Sequence, residues 1–170
     1  MKYWNRAEFM RTLASGGLMF GFGHTVARRI EPDKPKLDPK LVQTFVGAGH
    51  RDLAKVQEML EEHPTLLNAA HDWAYGDFET CLGAASHVGR KELARWLIDQ
   101  GAQANIFTAA LFGRMDIIKP MIDFFPETVH AKGPHGFTLL HHADRGGEEA
   151  LEVKEYLVSL GAKEMKIPLY

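Results

Sequence analysis

The sequence has little cysteine: Cys81 is the only one among 170 residues. A single thiol excludes an internal disulfide and any metal site built on several thiolates, and we expect Cys81 to be buried and inert. An excess of positive charge is also absent, because 20 Lys and Arg and 22 Asp and Glu give a formal net charge of −2. Domains that bind nucleic acid are usually strongly basic, so no nucleic-acid partner is predicted.

Motifs for catalysis and metal binding are missing as well. The sequence contains no G-x-S-x-G elbow, no phosphate-binding glycine loop and no H-x-x-x-H pair among its nine histidines. His141 and His142 are adjacent, and neighbouring side chains on a helix point about 100° apart, so the two do not readily share an ion. Asp72, Asp77 and Glu79 are close in sequence and could bind calcium, but a solvated acidic turn is their expected role. We therefore predict no catalytic residues, no cofactor and no metal site.

Long hydrophobic runs are also missing, and the weakly apolar stretch at residues 13–22 is too short to be a permanent membrane anchor. It follows three basic residues, Lys2, Arg6 and Arg11, and precedes the small residues at positions 25–27. This order is typical of an export signal, so we predict a signal peptide over residues 1–27. Residues 28–40 hold three prolines and eight charged residues, which predicts an extended linker before a folded domain at 41–170.

The segment from Arg6 to Arg11 resembles the twin-arginine signal of bacteria, R-R-x-F-L-K, with Ala7 in the place of the second arginine. The resemblance implies export to the periplasm. The alternative is a cytoplasmic protein whose N-terminus forms an amphipathic helix on the folded domain or on a membrane surface.

Two kinds of internal repeat run through the rest of the chain. Residues 49–69 are echoed by 113–131, each with a proline turn near its end, and residues 97–102 are echoed by 157–162, each ending in Gly-Ala. About four units of roughly thirty residues therefore fill the domain, each with apolar residues at helical spacing. One helix pair cannot bury its own apolar face, so neighbouring units must stack. The last residues, 165–170, are predicted to close over the final unit.

The fourth and second units resemble the ankyrin repeat, whose pattern is close to D-x-x-G-x-T-P-L-H-x-A-A-x-x-G. The fourth unit has G-F-T-L-L-H-H-A at residues 136–143, and the second has T-C-L-G-A-A at residues 80–85. The resemblance implies an all-α solenoid of about four helix-turn-helix units with short β-turn fingers. It also implies that His141 hydrogen-bonds within its own turn, and that the fingers and the concave face of the first helices bind a protein partner.

Aromatic residues mark the candidate binding surface. Trp73, Tyr75 and Phe78 lie in the finger of the second unit, and His135 lies at the predicted tip of the finger of the fourth unit. Exposed aromatic side chains are favoured at protein interfaces, so we predict that these four residues contact the partner. The alternative for the three aromatic residues is that they pack on a neighbouring unit as a local cap.

The sequence thus predicts a monomeric, non-catalytic protein-interaction scaffold that is exported to the bacterial periplasm and has no stable membrane anchor. One alternative is a cytoplasmic interaction module with an N-terminal amphipathic helix. Another is a carrier of a small molecule or a metal that uses the histidine-bearing concave face.

If residues 1–27 are an export signal, the mature protein begins at Arg28. We expect mass spectrometry of the N-terminal peptide from fractionated cells to find Arg28 as the first residue in the periplasmic fraction. A chain that keeps Met1 and fractionates with the cytosol would contradict export.

Overall fold

The computed structural model describes residues 35–170, and the predicted signal peptide and residues 28–34 lie outside the described residues. The described part is mostly helical, with strands only in one two-stranded sheet, which confirms the all-α prediction at the level of secondary structure. None of its helices is both long and apolar enough to cross a bilayer. The α-helices form four consecutive pairs: α1 Pro39–Gly49 and α2 Leu53–Glu62, α3 Cys81–His87 and α4 Lys91–Asp99, α5 Ile106–Leu111 and α6 Met115–Phe124, and α7 Leu139–Gly146 and α8 Leu151–Ser159.

Polar side chains fix where the first helix of each pair begins. A backbone N–H in the first turn of α1, α3, α5 and α7 donates to the side chain of Asp38, Thr80, Asn105 and Thr138, respectively. Such N-caps satisfy donors that the helix itself leaves free, and each contributes about 1 kcal/mol. Because α1 starts at Pro39, the last two residues of the predicted linker are helical.

The first helices of the four pairs form a row. Helix α1 contacts α3, α3 contacts α5 and α5 contacts α7, while each second helix packs against the first helix of its own pair. Two groups of buried side chains fill the interior, one mainly from the first two pairs and one from the last two. Small buried residues on the first helices, such as Ala84, Ala85 and Ala110, let the helix backbones approach closely.

The turns after the pairs alternate as the two kinds of repeat predict. The first and third pairs are followed by 3-10 helices that begin with proline, Pro64–Leu66 and Pro126–His130. The second and fourth pairs are followed by Gly101 and Gly161, which have φ of 94° and 96°. Glycine adopts these left-handed values without steric cost, so it ends the helix where the sequence predicts.

Two finger segments precede the second and fourth pairs. The first finger, residues 70–80, is an antiparallel hairpin in which β1 (Ala70–Asp72) pairs with β2 (Phe78–Thr80). The second finger, residues 132–138, is closed by the antiparallel bridge between Lys132 and Thr138. The third pair has no finger, because only residues 100–105 separate α4 from α5. The end of the chain closes on the second finger as predicted, since the N–H of Thr138 donates to the carbonyl of Met165 at 3.1 Å.

The two adjacent histidines of α7 bond to different units. His142 Nδ1 donates to the carbonyl of Thr138 at 2.7 Å, whereas His141 Nε2 donates to the carbonyl of His87, at the end of α3, at 2.8 Å. The expectation that His141 bonds within its own turn is therefore wrong, because α3 and α7 are in contact and its side chain reaches the second unit. Burial lowers the pKa of both histidines, that of His142 to about 4, so both rings are neutral at pH 7.

The stacking of the third pair on the fourth can be tested at Gly113, which has φ of 64° in the turn between α5 and α6. A Cβ at this position would overlap the carbonyl of Glu149, whereas at Gly161, with φ of 96°, it would meet nothing within 4 Å. We expect Gly161→Ala to lower the free energy of unfolding by about 1 kcal/mol, which is the cost of the left-handed conformation alone. Gly113→Ala should cost about 3 kcal/mol or more, since the clash adds to that strain.

Urea unfolding followed by circular dichroism measures both substitutions, with Gly161→Ala as the control for backbone strain. Equal losses in the two variants would contradict the close packing of the turn at Gly113 on the segment before α8.

Candidate functional site

The outer side of the first finger is aromatic and exposed. Tyr75 is 91% exposed and Phe78 is 61% exposed. The turn that carries Tyr75 is fixed by a hydrogen bond from the N–H of Gly76 to Asp72 Oδ1 at 3.0 Å. The ring of Tyr75 also meets that of Tyr170 edge-on, with centroids 5.6 Å apart. The finger therefore presents two of the four predicted partner residues to solvent in a defined conformation.

The inner side of the first finger is polar and buried. Successive side chains of a strand point to opposite faces, so Glu79 faces inward where Phe78 faces outward. Glu79 is only 1% exposed, and the expectation that it belongs to a solvated acidic turn is therefore wrong. The indole Nε1 of Trp73 donates to Glu79 Oε2 at 2.8 Å. Trp73 thus differs from Tyr75 and Phe78, because its ring is partly exposed and also bonds to a buried side chain of the finger.

Three histidines surround Glu79, and we call these four residues the inner cluster: His50, Glu79, His87 and His135. His50 follows the last residue of α1, His87 is the last residue of α3, and His135 lies in the second finger. One nitrogen of each histidine and a carboxylate oxygen of Glu79 all lie within 4.8 Å of one another. The inner cluster therefore brings together groups from the first, second and fourth units.

The individual distances show how closely the cluster converges. His87 Nε2 lies 2.9 Å from Glu79 Oε1, and His50 Nε2 lies 3.5 Å from Glu79 Oε2. His135 Nε2 is also 3.5 Å from Glu79 Oε2, and the Nε2 atoms of His50 and His87 are 3.1 Å apart. The three histidines thus all direct Nε2 toward the same carboxylate.

His135 joins the two fingers. Its φ of 58° is in the left-handed region, and this conformation accompanies an inward-facing side chain that is 25% exposed. The backbone N–H of His135 donates to Asp77 Oδ1 at 2.8 Å, and its Nδ1 donates to Asp77 Oδ2 at 2.7 Å. His135 lies in the turn of the second finger, as predicted, but its ring contacts the first finger.

Glu79 is ionised at neutral pH in spite of its burial. Burial by itself raises the pKa of the carboxyl, but the close contact and charge of His87, the N–H of Trp73 and the charge of His50 together lower the pKa below its usual value. A buried charged group is costly unless neighbouring donors or charges compensate it. The inner cluster is therefore an electrostatic unit, and imidazole nitrogen with carboxylate oxygen is a donor set that also suits a divalent metal ion.

An apolar groove of about 440 Å³ lies elsewhere, between α4, α5 and α6. Its walls include Ile106, Phe112, Ile117 and Met121. The predicted partner residues and the inner cluster do not contribute to it.

Comparisons with protein-family models and with curated proteins gave no match to this chain. The resemblance to ankyrin repeats therefore rests on the residues of the repeats themselves.

The bond between Trp73 and Glu79 can be tested by Trp73→Phe, which keeps an aromatic ring but removes the N–H donor. A hydrogen bond to a charged group contributes about 1.5–3 kcal/mol, so we expect the free energy of unfolding at pH 7 to fall by roughly 2 kcal/mol. The pKa of Glu79 is lowered in the folded state, so its stabilisation is complete above the unfolded value of 4.5 and is lost as the pH falls through the folded value. The difference in unfolding free energy between the wild type and Trp73→Phe should therefore become smaller as the pH falls through the folded pKa of Glu79.

Trp96→Phe is the matched control, because the half-buried Trp96 makes no side-chain hydrogen bond among the described residues. Urea unfolding at pH 7 and at acid pH measures the loss of unfolding free energy in each of the two variants. An equal, pH-independent deficit in the two variants would mean that the indole of Trp73 contributes only by packing.

Proposed function

We propose that the protein is a non-catalytic scaffold of the ankyrin type, which binds a protein partner through the outer side of its fingers. The observation that carries this proposal is the pair of exposed aromatic side chains, Tyr75 and Phe78, on a hairpin whose inner side is anchored. Aromatic side chains offer large contact areas with few rotatable bonds, and holding them in place before binding reduces the entropic cost of association.

The arrangement of the helices supports the ankyrin interpretation. The four helix pairs follow one another with their first helices in a row, and left-handed Gly89 and Gly113 lie between the two helices of the second and third pairs. The capping threonines Thr80 and Thr138 occupy the position of the threonine in the ankyrin pattern. In ankyrin repeat proteins the fingers are a usual site of partner binding, which agrees with the position of Tyr75 and Phe78.

The surroundings of Phe78 suggest the chemistry of the partner. A groove of about 260 Å³ runs beside Phe78, and its lining includes Phe107, Lys132, Pro134 and Leu169. Lys166 lines the adjoining cavity, where its ammonium group lies 4.9 Å from the ring centroid of Phe137. Asp77 also lines both cavities, but each of its carboxylate oxygens is hydrogen-bonded to His135. Apolar walls beside two lysines fit an extended peptide segment that carries an apolar side chain next to an acidic one.

The state of Cys81 supports a role without catalysis. Cys81 is fully buried, and burial together with the charge of Glu79 raises the pKa of its thiol to about 12. The thiolate is the nucleophilic form of cysteine, so this residue does not act as a nucleophile.

We further propose that the scaffold acts as an exported periplasmic monomer, with a cytoplasmic interaction module as the alternative.

The proposal is tested with the full chain as immobilised bait, carrying Tyr75→Ala and Phe78→Ala together. The matched control is Phe124→Ala with Phe125→Ala, because these two rings also contact each other and are 77% and 57% exposed at the end of α6. We expect quantitative mass spectrometry of envelope extract to find a protein that the wild type and the α6 control retain equally. The finger variant should retain at least about tenfold less of it, as expected for the loss of two aromatic contacts.

A partner that the finger variant retains fully, and the α6 control loses, would place the binding surface on α6 and contradict the proposal. Competition with synthetic peptides then checks the chemistry of the partner. A peptide with adjacent apolar and acidic residues should displace it, and the same peptide with the acidic residue replaced by lysine should not.

A further inference from the structure

We propose that the inner cluster is a zinc site in which Nε2 of His50, His87 and His135 and the carboxylate of Glu79 bind one Zn²⁺. This inference goes beyond the proposed scaffold function and does not depend on it. It also reverses the expectation from sequence that the chain holds no metal site.

The spacing of the ligand atoms fits a tetrahedral ion. Zinc binds histidine nitrogen and carboxylate oxygen at about 2.0–2.2 Å, so the atoms around a tetrahedral zinc are about 3.3 Å apart. Four of the separations within the cluster are close to this value. The Nε2 atoms of His50 and His87 are 3.1 Å apart, His87 Nε2 lies 2.9 Å from Glu79 Oε1, and Nε2 of His50 and of His135 each lie 3.5 Å from Glu79 Oε2. One ligand atom from each of the four residues lies within 4.8 Å of the others, so small shifts of the side chains would bring them around one ion.

The other ring nitrogens are held in the way that metal-binding histidines require. His50 Nδ1 lies 3.2 Å from the carbonyl of Gly47, and His135 Nδ1 lies 2.7 Å from a carboxylate oxygen of Asp77. Both partners are acceptors, so each Nδ1 carries a proton, and in the neutral form of each ring the lone pair is on Nε2, the atom that faces the cluster. A carboxylate or backbone carbonyl behind the histidine is the usual outer partner of a zinc ligand.

The ring of His87 is positioned by packing. It stacks on Phe137 with centroids 4.9 Å apart and an interplanar angle of 17°. Its backbone carbonyl is also held by His141 Nε2 at 2.8 Å. All three imidazole rings are therefore oriented by contacts outside the cluster.

Hydrogen bonds among the described residues do not satisfy every polar atom of the cluster. Glu79 Oε1 is buried and accepts no hydrogen bond of good geometry from any described residue, although His87 Nε2 lies 2.9 Å away. Nε2 of His87 lies 3.1 Å from His50 Nε2 and 2.9 Å from Glu79 Oε1, and a single N–H at that position can be directed to only one of them. A divalent cation at the centre would bind the three Nε2 atoms and the Glu79 carboxylate at once.

Charge and donor type favour zinc among the divalent ions. Three neutral imidazoles and one carboxylate are too rich in nitrogen for Mg²⁺ or Ca²⁺, which prefer oxygen ligands. The charges of Glu79 and of Asp77 behind His135 together balance the two charges of the ion. Four protein ligands also complete the tetrahedron, which is typical of a structural zinc site rather than a catalytic one.

The experiment uses the full chain after dialysis against a chelator. We expect isothermal titration calorimetry with ZnCl₂ to show one ion bound per chain with a submicromolar Kd, and MgCl₂ to give no heat. Zinc should also raise the thermal unfolding midpoint by several degrees, because it binds only the folded state. Absence of zinc binding by the folded wild-type chain would overturn the proposal.

Variants then identify the ligands. His135→Ala and Glu79→Gln should each weaken zinc binding by about 100-fold or more, and Asp77→Asn by about 10-fold through the outer partner of His135. His130→Ala is the matched control, because His130 is exposed and outside the cluster, and it should bind zinc as the wild type does. Wild-type affinity in both His135→Ala and Glu79→Gln would overturn the assignment of the ligands.

A ligand variant that fails to fold, as judged by circular dichroism, is replaced by a measurement on the wild-type chain. Co²⁺ bound in place of Zn²⁺ absorbs visible light strongly in a tetrahedral site and only weakly in a six-coordinate one. A strong visible band that disappears on adding one equivalent of Zn²⁺ would support the inner cluster, and a weak band would count against it.

Discussion

The structure around the fingers depends on how the carboxylate of Glu79 is kept charged away from water. An ionised group loses much of its hydration energy on burial, so each of its neighbours must return some of that energy through a hydrogen bond or an opposite charge. Those neighbours belong to different parts of the chain: Trp73 to the same hairpin, His50 to the end of α1, His87 to the end of α3 and His135 to the second finger. The contacts to Glu79 therefore constrain three features together: the register of β1 and β2, the length of α1 and the approach of the two fingers.

Much of the helical framework could be predicted from the sequence because the signals are local. Helix ends are set by residues within one turn, such as Thr80 and Thr138 at the caps and Gly101 at the end of a pair. The alternation of proline turns and Gly-Ala turns also follows from short stretches of sequence. The partner of His141 could not be predicted in this way, because its acceptor lies 54 residues away and depends on how the units contact one another.

The candidate site could be predicted only in part, for the same reason. The exposure of Tyr75 and Phe78 follows from a polar, glycine-containing turn, whereas the inner cluster combines residues at irregular separations that match no metal-binding motif. One signal was available in the sequence. Side chains alternate between the two faces of a strand, so an outward Phe78 implies an inward Glu79, and a buried carboxylate needs hydrogen-bond partners. The inward direction of His135 depends on its left-handed backbone and on Asp77, neither of which is evident from composition.

The short connection between α4 and α5 has a consequence for how the repeats are organised. If every unit carried a finger, the segments before the second and fourth pairs would be separated by an intervening loop. Residues 100–105 provide no such loop, and Asp77 and His135 meet across the gap. The absence of a finger before the third helix pair therefore leaves the two fingers in contact, and this contact creates the polar environment around Glu79.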